Sequence, residues 1–223
     1  MPTRFLPRLT GITCRIPRDE TASYHWRSCH NEAVTDGGDS DEDLIRRYAQ
    51  GEAAAFELLY RRHEMRVWRY LERNVRNPAT ADELLQEVWF AVARDAVHYQ
   101  PTARFTTWLF TIAHNRMIDS VRASRAHLSL DALGPEAESV VQQLTADPAV
   151  SPLAATVAHE QATALIQAVE ALPIEQREAF LLQVEGDLGV EEIATITLCS
   201  FETTKSRLRY ARAKLRELLR EYA

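Results

Sequence analysis

The stretch 105–124, FTTWLFTIAHNRMIDSVRAS, decides how this chain is read. Phe105, Trp108, Leu109, Ile112, Ala113, Met117 and Val121 recur at spacings of three and four, which places them on one side of a helix. Thr106 or Thr107 is suited to cap its start, because a hydroxyl there accepts an unpaired backbone N–H. His114, Asn115, Arg116, Asp119, Arg122 and Arg125 fall on the other side. Amide and guanidinium groups read base edges or grip phosphates. Aromatic rings at a helix entrance stack on unpaired bases. On this stretch alone, an ordinary amphipathic helix with a solvated polar face is an equal reading.

Working outward, the same helical spacing runs through nearly the whole chain. Glycine is scarce, at 7 of 223 residues, and no alternating run is long enough for a sheet. The expected fold is all-α. Upstream, residues 1–38 carry Pro2, Pro7, Pro17, Gly37 and Gly38 without a sustained period and read as a disordered tail. His25, Cys29 and His30 are zinc-type ligands, but a fourth at sensible spacing is missing, so chance is the favoured reading. No metal site and no cofactor is expected. Order should begin near Ser40, a helix cap followed by acids that suit the positive helix end. Gly51 ends the first helix. A longer one follows with Phe56, Leu59, Tyr60, His63, Val67, Trp68 and Leu71 inward. Asn77-Pro78 breaks the chain. The next helix is expected from about Thr80 to Ala96, with Thr80 and Glu83 as a capping box. Its outer side is an acidic ridge of Asp82, Glu83, Gln86 and Glu87.

Downstream, residues 127–151 contain Gly134, Pro135, Pro148 and many acids, and read as a flexible linker. Ser151-Pro152 opens a second helical unit over 152–223. Its last part reads as a short helix to Thr197, a tight turn at Leu198-Cys199, and a long helix capped by Ser200. Lys205, Arg207, Arg209, Arg212, Lys214, Arg216 and Arg220 make that helix basic. A short helix, a tight turn and a basic helix form a helix-turn-helix, whose second helix enters the major groove.

The net charge of −6, from 26 Lys and Arg against 32 Asp and Glu, is unusual for a nucleic-acid binder. The basic element on an acidic body suits a protein that binds DNA weakly alone and more tightly beside a basic partner. Three widely spaced cysteines argue for a reducing cytoplasm. No apolar run reaches membrane-spanning length, so no membrane insertion is expected. An enzyme is disfavoured: no nucleophile–base set and no phosphate-cradling glycine loop stands out.

Three segments, in order, resemble a bacterial extracytoplasmic-function (ECF) sigma factor of the sigma-70 superfamily. They are DEDLIRRYAQGEAAAFELLYRRHEMRVWRYL at 41–71, ADELLQEVWFAVAR with FTTWLFTIAHNRMIDSVRAS within 81–124, and LPIEQREAFLLQVEGDLGVEEIA with KSRLRYARAKLRELL within 172–219. The resemblance implies sigma domain 2 at 39–126 and sigma domain 4 at 152–223. It implies core RNA polymerase and promoter DNA as partners, and commonly an anti-sigma factor. Polymerase would dock on the ridge of Asp82, Glu83, Gln86 and Glu87. Tyr99, Thr102, Arg104, Phe105, Trp108, Asn115, Asp119 and Arg122 would open and read the minus-ten element, with Trp108 more core than stacker. Ser200, Thr203, Lys205, Ser206, Arg207, Arg209, Tyr210 and Arg212 would read the minus-thirty-five element. The chain departs from the family at Thr197-Leu198, where Leu-Gly is usual, and at Glu202-Thr203-Thr204, where Gly-Thr-Val is usual. A leucine at a left-handed turn position is strained by about 1 kcal/mol. The alternative is an operator-binding regulator that uses only the helix-turn-helix.

Overall fold

The computed structural model describes residues 38–128 and 152–220, with side chains described over 38–123 and 160–220. The tail with His25, Cys29 and His30 lies outside them, as does the linker from 129 to 151. Among the described residues all regular structure is helical: α1 (Asp41–Ala49), α2 (Ala53–Val75), α3 (Pro78–Asp95), α4 (Phe105–Leu128), α5 (Pro152–Glu170), α6 (Ile174–Gly186), α7 (Val190–Ile196) and α8 (Phe201–Leu218). A 3-10 turn, Ala96–His98, follows α3.

The helix starts have local causes. Ser40 Oγ accepts the backbone N–H of Asp43 at 3.1 Å, and three acids fill the first turn of α1. Gly51, at φ 103°, turns the chain into α2, a conformation that costs glycine little. The third helix begins at Pro78, two residues before the expected Thr80. Asn77 is its cap, accepting from Thr80 N at 3.2 Å, and proline fits the first helical position because its missing N–H has no intrahelical acceptor there. Thr80 is therefore inside the first turn rather than at the cap.

Helix α4 also corrects an expectation at its start. Thr106 and Thr107 sit within the first turn, and the Glu42 carboxylate accepts the backbone N–H of Phe105 at 2.8 Å. An acid from α1 thus serves the positive end of α4. Its far end runs to Leu128, so the first two residues assigned to the linker continue the helix.

The core of α1 to α4 is built from Leu44, Ile45, Leu59, Val67, Leu71, Leu84, Val88, Phe105 and Leu109. In the later helices Leu172, Leu182, Ile193, Leu208 and Ala211 are buried in the same apolar cluster. The sequence suggests two bodies on a loose tether. Among the described residues the helices of the two halves also touch, with α6 lying on α2 and α4, and α7 on α4. Phe110, absent from the apolar side assigned to α4, is fully buried. It meets Tyr70 edge-on at 5.5 Å, and a Cβ added at Gly186 of α6 would lie 3.4 Å from its ring. The side of α4 expected to be solvated is partly covered by α6.

Candidate nucleic-acid interface

Three surfaces carry the residues singled out above. The first is the outer side of α3. Glu83, Gln86 and Glu87 are exposed, at helical spacings of three and four. Asp82 is exposed too, but its carboxylate accepts the Trp68 indole N–H at 2.6 Å and so also ties α3 to α2. Phe90 continues this ridge by one turn and is 74% exposed. Sequence reading missed it because an aromatic residue on an amphipathic helix is usually taken as core.

The second surface is the loop before α4 and the outer side of that helix. Thr102, Arg104, Asn115, Asp119 and Arg122 are exposed. Tyr99 and Trp108 are half-buried, with ring centroids 5.1 Å apart. The Tyr99 hydroxyl donates to the Ala103 carbonyl at 3.2 Å, which closes the loop on itself. Burial, and then the Glu42 charge, push the Tyr99 phenol up to about 12. Phe105 has no exposed surface. It is packed against His63, Tyr99 and Trp108, so it supports the loop from below and reaches no base in this conformation.

Acids from the second half occupy part of this surface. Arg104 donates to the Asp187 carbonyl at 2.9 Å and to its carboxylate at 3.2 Å, and a Glu192 oxygen lies 3.9 Å away. Thr107 donates to Glu192. His114, assigned to the outer side, is buried instead, with Nδ1 2.7 Å from Glu178 Oε1 and 3.4 Å from the Tyr70 hydroxyl. Burial, and then the Glu178 charge, hold the Tyr70 phenol well above its ordinary value. These contacts were illegible in the sequence because they join residues more than 40 positions apart, with no local period to mark them.

The third surface is α8. Ser200 Oγ accepts the Thr203 N–H at 3.1 Å, so the expected cap is formed. Thr204, Leu208, Ala211 and Leu215 are buried, and Glu202, Ser206, Arg209 and Ala213 lie opposite. Thr203, Lys205 and Tyr210 are exposed on either flank. Arg209 and Tyr210 lie together, the guanidinium 4.9 Å from the ring centroid. Two arginines are spoken for within the fold: Arg207 donates to Cys199 Sγ at 3.0 Å, and Arg212 to the Gln183 side chain at 2.5 Å. The turn has the strain expected of it, with Leu198 at φ 52° and 91% exposed.

A cap, a short helix, a tight turn and a basic helix with a free outer side define a helix-turn-helix protein, here joined to a second helical body with an acidic ridge. Comparison with known proteins agrees at both ends of the chain. Residues 59–127 match the family model for Sigma-70 region 2, and residues 162–215 match that for Sigma-70, region 4. Over 177 residues the chain is 33% identical to the RNA polymerase sigma factor CarQ of Myxococcus xanthus, covering 79% of this chain and 96% of that one. It is 31% identical to the ECF RNA polymerase sigma factor SigK of Mycobacterium ulcerans, over 79% of this chain and 91% of that one. In fold it is similar to the sigma factor RpoE of Bartonella quintana, solved in complex with the anti-sigma factor NepR (TM-score 0.60, 24% identity, 74% of this chain and 96% of that one). It is also similar to CnrH, solved in complex with the cytosolic domain of CnrY (TM-score 0.55, 22% identity, 83% of this chain and all of that one). The chain belongs to the ECF family of RNA polymerase sigma factors. It is a transcription initiation factor and not an enzyme. The alternative of an operator-binding regulator leaves the match over 59–127 without a role.

Proposed function

We propose that this sigma factor holds core RNA polymerase through the outer side of α3 and directs it to promoters with two separate DNA surfaces. Domain 2, residues 39–126, would open and read the minus-ten element, and domain 4, residues 152–223, the minus-thirty-five element. The segment between them, 127–151, would act as the tether that lets both engage one duplex. The observation that carries the reading is the division of exposed charge. Glu83 and Glu87 stand exposed on α3, while Lys205 and Arg209 stand exposed at the reading end of α8.

The chemistry required is binding, not bond-making. Opening a promoter needs a surface that stabilises an unstacked base, at a cost of a few kcal/mol. Tyr99 and Trp108 offer partly exposed rings for stacking, with Thr102, Asn115, Asp119 and Arg122 as polar neighbours. For Arg104 to meet a phosphate, Asp187 must leave it, so α7 and the loop before it must separate from α4. On α8, Ser200, Thr203, Lys205, Ser206, Arg209 and Tyr210 are the residues with access to a groove. Arg207 and Arg212 would act mainly by fixing the turn and the packing of α8 on α6. The reading places the protein in the cytoplasm with the polymerase. An anti-sigma factor is the expected inhibitor, since the RpoE relative was solved with one.

The test is binding of purified core polymerase to the E83K/E87K double variant. Both side chains are exposed, and Asp82 keeps its bond to Trp68, so the fold should be retained. Binding should be lost; binding at wild-type affinity would take the polymerase away from α3.

A further inference from the structure

The outer end of α8 carries two residues that a purely phosphate-gripping helix does not need. Phe201 is the first residue of the helix and is 40% exposed, outside the packed core. The Lys205 ammonium lies 5.9 Å from its ring centroid. Glu202 follows it, with its side chain 76% exposed and a carboxylate oxygen 3.8 Å from Lys205 Nζ. Helix-turn-helix proteins meet base edges with the N-terminal residues of this helix. An exposed ring there has one good partner in the major groove, the 5-methyl group of thymine.

The carboxylate is more selective. Guanine shows O6 and N7, and thymine shows O4; all are acceptors and repel it. Adenine offers an amino group, but its N7 acceptor stands beside it. Cytosine alone presents an amino donor with no neighbouring acceptor on its own major-groove edge. Near phosphates a carboxylate that faces base acceptors is unfavourable, and its loose 3.8 Å pair with Lys205 leaves it open to the groove, so Glu202 penalises every base that does not supply that donor.

We propose that Phe201 and Glu202 set the base preference at one end of the minus-thirty-five element, thymine beside Phe201 and cytosine beside Glu202. The inference rests on the reading of α8 given above and adds to it two specificity residues. A helix-stabilising role for Glu202 at the positive end of α8 is compatible with this one, but it gives no base preference.

The test uses the full chain assembled with core polymerase. A promoter library randomised in the minus-thirty-five element is transcribed, and the enriched promoter is rebuilt with deoxyuridine in place of each thymidine in turn. With the wild-type chain, thymine and cytosine should be enriched near one end. Removing one thymine methyl should lower open-complex formation about fivefold, the lower end of what one specific base contact supplies. F201A should be insensitive to that methyl, F201L should recover part of the sensitivity, and E202Q should lose the cytosine preference. Start sites that are kept while the methyl has no effect, or while F201A and E202Q leave both preferences unchanged, overturn this inference alone. A chain that directs no start site overturns it together with the promoter reading.

Discussion

Arg69 of α2 grips Glu185 of α6 in a forked ion pair, with Nε 2.9 Å and 3.1 Å from the two carboxylate oxygens and Nη2 at 2.8 Å. The two residues belong to the two separately matched sigma regions. Around them Arg73 reaches the Glu170 carboxylate at 3.4 Å, Arg76 the Glu170 carbonyl, and Arg104 Asp187. Basic groups of the first half therefore face acids of the second, an arrangement in which the acids stand where phosphate charge could otherwise lie.

Reversing one side of this pair should loosen the two halves. Arg69 is 41% exposed, so solvent screening limits the pair to about 1 kcal/mol. E185K should lengthen a Förster distance between labels on α3 and α8, and the charge swap R69E/E185R should restore it. Raising salt from about 0.1 to 1 M should lengthen the wild-type distance too, because screening shortens from roughly 10 to 3 Å.

Gly186, at the end of α6, has no room for a side chain. A Cβ there would lie 2.8 Å from Leu188 Cγ and 2.9 Å from its Cδ1. Leu188 is itself buried, so it has little room to give. G186A should destabilise by about 1–3 kcal/mol despite alanine's better helix propensity. The denaturation midpoint in urea measures it.

Leu198 carries the opposite expectation. Its left-handed backbone disfavours any side chain, and the side chain is almost wholly solvated. L198G should raise stability by about 0.5–1 kcal/mol, the relief of strain less the entropy glycine adds to the unfolded chain. Thermal melts of the two proteins decide it.

Alkaline pH should unfold the protein through its tyrosines. The Tyr99 phenol is pushed up to about 12, and burial holds that of Tyr70 well above its ordinary value, against an unfolded value near 10. A raised pKa in the folded state means that the unfolded chain releases the proton first. Stability is therefore complete below pH about 10 and falls as pH rises through 12. Melting temperature against pH from 8 to 12, followed with tyrosinate absorbance, should show this loss. Y99F should show a shallower slope.

How much of this was legible beforehand divides by range. Ser40, Asn77-Pro78, Gly51 and Ser200 act within four residues of where they stand, and the helix limits they set could be read directly, apart from a two-residue shift at α3. The turn strain at Leu198 was legible for the same reason. The exposed ridge of Glu83, Gln86 and Glu87 followed from spacing alone. Burial of His114 and Phe110 did not, because it depends on α6 lying across α4. Arg104 reads as a free phosphate ligand until Asp187, far along the chain, is placed beside it. Phe90 and Phe201 were overlooked for a related reason: an aromatic residue at helical spacing looks like core until its surroundings are known.

Transcription in vitro tests the central claim most directly. Core polymerase is mixed with a promoter library, with and without the purified chain, and the RNA 5′ ends are mapped. A defined new set of start sites should arise only when the chain is present, each preceded by shared sequence near minus ten and minus thirty-five. An unchanged set of start sites, at chain concentrations that saturate the polymerase, would contradict the account.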